Sequence, residues 1–212
     1  PSLLTLHYSL ILNDLFPWWL WPLGDFLCLK GMKMNLPDTR NNTHHTAKAK
    51  SPLRLVKTKD LSRDEWLEAR RSGLGSSDAA TALGLNPYQS RLALWIEKTR
   101  PEQSLNQIDP SDDTHPTYWG TVLEPIVATH YSKRTGNKVR KVNAILQHPE
   151  HPFMLANLDR EVIGLPEGTG ILEIKTASYH SAPQWEEGVP VAYQCQVLHQ
   201  LAVTGLAWAD VA

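Results

Sequence analysis

The feature that most restricts the fold is the stretch GILEIKTA at residues 170–177, in which two charged residues alternate with apolar ones. In a β-strand, this alternation places Glu173 and Lys175 on one face and Leu172 and Ile174 on the other. The apolar face needs a core to cover it, so the chain must build a sheet with a packed layer against it. The charged face is then either a solvated ion pair or one wall of a catalytic site.

Length and composition predict a globular domain. The chain has 212 residues, of which 42% are hydrophobic, enough for one domain with a substantial core. It carries 21 Lys and Arg against 22 Asp and Glu, which neither requires nor excludes a nucleic-acid partner, because a basic groove is compatible with a neutral total. The two cysteines, Cys28 and Cys195, are too few for a four-cysteine metal site and favour a reducing, cytoplasmic setting.

Residues 3–28 are apolar but do not predict a membrane anchor. A spanning helix needs about 18 or more apolar residues in a row, and a signal peptide needs a basic start, which this segment lacks. The apolar run is broken by Asp14, Pro17, Pro22 and Asp25. Because the chain starts at Pro1 rather than Met, we expect the natural start at Met32 or Met34.

The chain divides into an extension and a folded domain. Residues 1–59 are predicted to be an N-terminal extension and basic linker, because residues 35–59 offer little apolar surface to pack. The domain is predicted at residues 60–212, beginning with a capping box formed by Ser62 and Glu65. Helical periodicity is found at residues 62–71, 76–84, 92–96, 119–131 and 190–205. Three short strands, expected to form a meander, are predicted at residues 139–146, 153–162 and 171–176.

Asp159 changes the interpretation of the 170–177 stretch. Taken alone, a Glu-x-Lys pattern arises about once by chance in a chain of this length, and a lone aspartate is typical of a strand end. If the last two predicted strands pair, however, Asp159 lies beside Glu173. Two adjacent carboxylates are unfavourable unless they share a cation or a proton, and Mg²⁺ takes oxygen ligands while keeping several waters. With Lys175 on the same face, the arrangement suits phosphodiester hydrolysis.

Asp159 followed by Glu173-Ile174-Lys175 resembles the signature of the PD-(D/E)XK nuclease superfamily. Residues 62–204 also resemble the YqaJ-type viral recombinase family, whose relatives include the lambda exonuclease. The matching motifs occur in the family's order: Trp66-x3-Arg70, the glycine- and serine-containing block at 73–80, the turn at 83–88, Trp119-Gly120-x3-Glu124, and Tyr193-x2-Gln196-x7-Thr204-Gly205.

This resemblance implies an α/β fold with a restriction-endonuclease-like core, a small mixed central β-sheet flanked by helices. It implies a DNA nuclease that uses Mg²⁺, with Mn²⁺ as the alternative, and digests linear duplex DNA from an end. The implied catalytic residues are Glu124, Asp159, Glu173, Lys175 and Gln196. The implied metal ligands are Asp159, Glu173 and the backbone carbonyl of Ile174, and the implied DNA phosphate-binding residues are Arg70 and Ser77.

Each of the outlying site residues also has a plain structural interpretation. Arg70 suits a helix C-terminus, Ser77 suits an N-cap, Glu124 suits a first helical turn, and Gln196 suits a buried backbone group. The resemblance further implies double-stranded DNA ends as the substrate, a single-strand annealing protein as partner, a ring-like homo-oligomer, and a phage or bacterial origin with a cytoplasmic location.

The chain departs from the family pattern at Arg160, where relatives commonly have the glycine of a Ser-x-Asp-Gly turn. We therefore expect a different turn after Asp159, with Arg160 paired to Glu161 or to DNA. The chain also stops at Ala212, where relatives continue, so a C-terminal truncation is expected. Two alternatives follow: a catalytically inactive DNA-binding remnant of the same fold, and a site-specific endonuclease, which would cut closed circles.

Overall fold

The computed structural model describes residues 7–8, 32–35, 51–100, 102, 111–178 and 181–212. The α-helices are α1 (Arg63–Arg71), α2 (Ala79–Leu83), α3 (Arg91–Thr99), α4 (Pro116–Thr135) and α5 (Val191–Thr204). Short 3₁₀ helices span Ser76–Asp78 and Ala182–Trp185. The strands are β1 (His7–Tyr8), β2 (Met32–Asn35), β3 (Leu53–Lys57), β4 (Lys138–Arg140), β5 (Ala144–Gln147), β6 (Leu155–Ala156), β7 (Arg160–Ile163), β8 (Gly170–Glu173) and β9 (Trp208–Val211).

The helix boundaries follow local signals in the sequence. At the start of α1, the Ser62 hydroxyl accepts the Glu65 N–H, and the Glu65 carboxylate accepts the Ser62 N–H at 2.8 Å, which confirms the predicted capping box. Three helices end at a glycine in the left-handed region, a conformation that satisfies the last carbonyls at little steric cost. These glycines are Gly84, Gly136 and Gly205.

Within the described residues the strands form two sheets, and the predicted three-stranded meander is confirmed in the antiparallel order β4-β7-β8, although two of its three strands divide. The larger sheet has the order β1-β2-β9-β8-β7-β4, and the smaller one has the order β3-β5-β6. The predicted strand at 139–146 divides into β4 and β5, and that at 153–162 divides into β6 and β7, so each serves both sheets. The second division falls at Asp159, whose carboxylate accepts the Ile174 N–H at 2.7 Å and so occupies a donor that strand pairing would use.

The strand β9, which sequence periodicity did not reveal, lies parallel to β8 after the α5 crossover. The pairing continues past the strand ends, because the Lys175 N–H donates to the Ala212 carbonyl and the Ala212 N–H donates to the Glu173 carbonyl. The Trp208 ring packs directly on Gly170, where an added Cβ would lie 2.3 Å from the ring. These contacts hold the backbone of the Glu173–Lys175 segment from its β9 side.

Both faces of the larger sheet are covered. On one face, Leu172 and Ile174 pack with Val162 and with Val127 of α4. On the other face, Ile171 packs with residues of α5, among them Val197 and Leu201. The alternation predicted for residues 172–175 is therefore confirmed: the apolar pair faces α4, and Glu173 faces α5, whose glutamines bind its carboxylate.

Segments of the predicted extension contribute strands. β2 pairs antiparallel with β9, and β3, within the basic segment, pairs antiparallel with β5. Leu53 and Leu55 stay exposed, so backbone hydrogen bonds rather than side-chain burial hold β3 in place, and side-chain polarity could not reveal it.

The boundary at residue 60 stays a prediction, and the predictions for residues 3–28 fall almost wholly outside the described residues. None of the helices in the described part of the chain has the length and apolar character that crossing a membrane requires.

Candidate active site

A cleft of about 390 Å³ lies between α4, the end of β8 and the N-terminal half of α5. All the residues proposed from the sequence line it, although they lie as far apart in the chain as positions 70 and 196. They are Arg70, Ser77, Glu124, Asp159, Glu173, Ile174, Lys175 and Gln196. The remaining lining residues are Ser76, Thr117, Gly120, Thr121, Asn157 and Thr176. Tertiary structure thus brings the predicted set together.

Glu173 lies at the centre of the hydrogen-bonding network and is only 2% exposed. Its Oε1 accepts hydrogen bonds from Gln196 Nε2 at 2.5 Å and from Lys175 Nζ at 2.6 Å. Its Oε2 accepts from Gln200 Nε2 at 2.7 Å. A buried carboxylate is tolerated only when its oxygens are satisfied, so these three donors hold Glu173 in one orientation.

Asp159 is the second carboxylate of the cleft, and it is partly buried. Burial raises the pKa of Asp159 to about 7, with a further upward contribution from the nearby charge of Glu173, while the Ile174 N–H bond acts in the opposite direction. A carboxylate whose proton affinity is raised by burial and by a neighbouring carboxylate provides a strong site for either a proton or a cation.

Lys175 keeps its positive charge in the same enclosed space. Burial lowers the pKa of Lys175, but the carboxylates of Glu173 and Asp159 raise it further, and the net direction is upward. Its Nζ also lies 5.0 Å from the centre of the Tyr193 ring, a cation–π distance. The ammonium is therefore fixed between a carboxylate and an aromatic ring, and its alternative interpretation as a solvated ion pair is wrong.

Arg160 is buried beside the cleft and pairs with Glu124, so the expected pairing with Glu161 is wrong, while pairing with DNA stays a prediction. Its Nη1 donates to the carboxylate of Glu124 and, at 2.5 Å, to the Asp159 carbonyl. Arg160 lies opposite Leu172 in the β7–β8 register, on the sheet face that α4 covers. Glu161 points to the other face, where its carboxylate accepts from Arg140 Nε at 3.0 Å.

Arg70 and Ser77 meet at one end of the cleft. Arg70 Nη2 donates to Ser77 Oγ at 2.7 Å, and the guanidinium lies over the Trp66 ring, 4.6 Å from its centre. Among the described residues, the buried Nε of Arg70 has no hydrogen-bond partner. The guanidinium fits here because residue 75 is a glycine: a Cβ at Gly75 would lie 2.8 Å from Arg70 Nη2.

Of the four plain structural interpretations given above, the structure confirms one and contradicts three. Arg70 does lie in the last turn of α1, as a cation at a helix C-terminus should. Ser77 does not cap a helix, since the N-cap of its 3₁₀ helix is Gly75. Glu124 lies in the middle of α4 rather than in its first turn, and Gln196 binds Glu173 rather than a backbone group.

Sequence motifs missed Gln200, which is fully buried. Besides Glu173, its Nε2 contacts the Asn157 carbonyl at 3.1 Å. The missed signal was the spacing, because Gln196 and Gln200 are four residues apart on α5 and so share a helical face. Thr117 and Thr121 have the same spacing on α4 and reach the cleft with Glu124.

Comparison with known proteins places this arrangement in a family. The model of the YqaJ-like viral recombinase domain matches residues 65–207. The YqaJ protein of Bacillus subtilis strain 168 is 44% identical over 153 residues, which cover 71% of this chain and 45% of that protein. Protein D345L of African swine fever virus is 37% identical over 76 residues, which cover 35% of this chain and 20% of that protein. The chain thus spans less than half the length of these curated relatives.

Solved structures share the fold. The crystal structure of an alkaline exonuclease from Laribacter hongkongensis aligns with a TM-score of 0.54 and 25% identity, covering 70% of this chain and 72% of that one. A structure of that exonuclease with dAMP aligns over the same shares with a TM-score of 0.54 and 23% identity. The predicted α/β class with a restriction-endonuclease-like core is confirmed.

Proposed function

The chain belongs to the family of YqaJ-like viral recombinase domains, and from this premise we propose that it is a metal-dependent deoxyribonuclease. The proposed reaction is hydrolysis of phosphodiester bonds in linear duplex DNA, starting from an end. The observation that carries the proposal is the convergence of Asp159, Glu173 and Lys175 in one cleft, with Lys175 Nζ 2.6 Å from Glu173 Oε1. The likeness to an alkaline exonuclease adds support.

The donor set fits a hard divalent cation. The proposed ligands, Asp159, Glu173 and the Ile174 carbonyl, offer only oxygen atoms, whereas zinc sites are typically built from nitrogen and sulfur ligands. Mg²⁺ is instead commonly bound through one or two carboxylates with several waters retained, and Mn²⁺ accepts similar oxygen ligands. Asp159, Glu173 and the Ile174 carbonyl would hold the ion. When bound, it would supply Lewis acidity toward a phosphodiester and lower the pKa of a water.

The chain's own groups have separable tasks in this proposal. Lys175, charged and held by Glu173, is placed to donate to a phosphate oxygen or to orient the attacking water. Gln196 and Gln200 bind the two oxygens of Glu173 and keep its carboxylate in a single orientation. Glu124, held by Arg160, supplies a further acidic group on the α4 side of the cleft.

Arg70 and Ser77 are proposed to bind a phosphate near the strand end. A guanidinium forms charge-assisted hydrogen bonds with phosphate oxygens, and the unpartnered Nε of Arg70 is a donor that such an oxygen would satisfy. Trp66 supports the guanidinium from one side, which limits its rotation.

Partners and location belong to the same proposal. We expect double-stranded DNA ends as the substrate, a single-strand annealing protein as a functional partner, and assembly into a homo-oligomer. The expected setting is the cytoplasm of a bacterial host, with the domain encoded by a phage or by the host.

The test is degradation of linear, 5′-phosphorylated duplex DNA in Mg²⁺, with a covalently closed circle assayed beside it. EDTA and Lys175→Ala serve as controls, and circular dichroism verifies that the variant is folded. We expect loss of the linear DNA alone, abolished by both controls. Cutting of the circle would instead identify an endonuclease. A folded protein that binds DNA without cleaving it would identify an inactive remnant.

A further inference from the structure

Lys98 on α3 lies outside the cleft, yet it contacts the residues at the phosphate end of the cleft. Its Nζ is 2.6 Å from Asp78 Oδ2, and the two side chains are only 14% and 10% exposed. The same Nζ lies 3.4 Å from the Arg70 carbonyl. Enclosing two opposite charges costs desolvation free energy that their attraction only partly offsets, so such a pair is weak evidence of a purely stabilising role.

Asp78 has two cationic neighbours but engages them unequally. Its Oδ2 is bound by Lys98 and by the Gly75 N–H at 2.8 Å. Its Oδ1 faces Arg70 Nη2 at 3.9 Å, which is beyond hydrogen-bonding distance. The carboxylate is therefore engaged mainly on the side away from Arg70.

Arg70 consequently retains donors that it does not use on Asp78. Its Nη2 bonds to the neutral hydroxyl of Ser77, and its Nε has no partner among the described residues. A buried donor without an acceptor is unfavourable, and an arginine that makes no hydrogen bond to a carboxylate keeps donors that can bind an anion.

We propose that Lys98 is a positioning residue that neutralises Asp78 and so keeps Arg70 free to bind a terminal phosphate of DNA. This inference rests on the proposed function and adds the reason why the phosphate end remains cationic. Lys98, Arg70 and Asp78 together carry one net positive charge, and without Lys98 they carry none. A shift of about 1 Å would then turn the 3.9 Å approach of Arg70 to Asp78 into a direct hydrogen bond. Such a bond draws the guanidinium away from the cleft.

The experiment compares duplexes with 5′-phosphate and 5′-hydroxyl ends, bound to the full chain in EDTA and followed by fluorescence anisotropy. The readout is the phosphate preference, the affinity for the 5′-phosphate duplex divided by that for the 5′-hydroxyl duplex. Within one variant this ratio is independent of the folded fraction. Lys98→Met should lower the ratio roughly tenfold, the loss expected when one charge-assisted hydrogen bond is redirected. Arg71→Met, which removes a cation of α1 paired with the exposed Glu68, should leave the ratio unchanged.

The double variant Lys98→Met/Asp78→Asn separates positioning from direct binding. If Lys98 acts only by neutralising Asp78, the double variant regains the wild-type ratio, and it serves as the test even if Lys98→Met alone does not fold. A ratio that stays low in the double variant would mean that Lys98 contacts the phosphate itself, which overturns the inference. A wild-type ratio near one, or an unchanged ratio in folded Lys98→Met, also overturns it. Cleavage in Mg²⁺ is measured separately, so failure of the proposed function is distinguishable.

Discussion

Arg160 donates to the Glu124 carboxylate beside the cleft and thereby joins the start of β7 to the middle of α4. Arg160 is buried and Glu124 is partly enclosed, so each charge depends on the other. The pair lies where the family resemblance implied a glycine turn. In this chain, the α4 wall of the cleft is thus attached to the segment that carries Asp159.

Removing one partner of this pair should destabilise the protein more than removing both. Arg160→Met leaves the Glu124 carboxylate without its cation, and we expect a loss of about 2 kcal/mol in the free energy of unfolding. Arg160→Met/Glu124→Gln should recover most of that loss. Urea denaturation of the single and double variants gives the coupling free energy. Simple additivity of the two single-variant losses would show that the pair does not act as a unit.

Gln200 should support catalysis without contacting the substrate. Gln200→Leu leaves Glu173 Oε2 without its donor, so we expect a roughly 10- to 100-fold lower cleavage rate, as for other residues that orient a ligand. Gln194→Leu is the matched control, because Gln194 lies on the same helix and donates to the Val189 carbonyl instead. Rates are normalised to the folded fraction. Equal cleavage rates in the two variants would show that Gln200 does not support catalysis through Glu173.

The stability of the metal-free protein should fall as the pH rises toward 7. The pKa of Asp159 is about 7 in the folded state and near the ordinary value of 3.8 when unfolded. Between these values the folded state binds more protons than the unfolded one, so stability declines with pH, by on the order of 1.4 kcal/mol per unit at most. Urea denaturation in EDTA at several pH values measures this slope. Asp159→Asn should flatten this pH dependence of the free energy of unfolding. An unchanged slope in that variant would mean that another group causes the pH dependence.

Gly170 should tolerate no side chain. An alanine Cβ would lie 2.3 Å from the Trp208 ring, so Gly170→Ala should cost about 1–3 kcal/mol through overpacking between β8 and β9. Gly120→Ala is the control, because its Cβ would meet only Thr176 Oγ1 at 3.7 Å within a helix. That substitution should stabilise α4 by up to about 1 kcal/mol, the helix propensity difference. Thermal unfolding of both variants measures the contrast.

Helix starts and ends were predictable because their signals are local. Ser62 and Glu65 bond to each other within one turn, and Gly84, Gly136 and Gly205 each end a helix by their own backbone conformation. Strands were less predictable, since a strand is completed by a distant partner. The sequence did not reveal that residues 139–146 and 153–162 serve two sheets, nor that β9 pairs with β8.

For the candidate site, the sequence by itself determined the chemical groups and their alternation. Glu173 and Lys175 share a face because successive residues of a strand point to opposite sides, whatever the rest of the fold does. Only the tertiary structure decided which groups pair around the site. Arg160 pairs with Glu124, Gln200 donates to Glu173, and Lys98 pairs with Asp78. The physical reason is that these pairs join segments 20 to 36 residues apart, and their distances depend on how helices pack on a sheet rather than on any local periodicity.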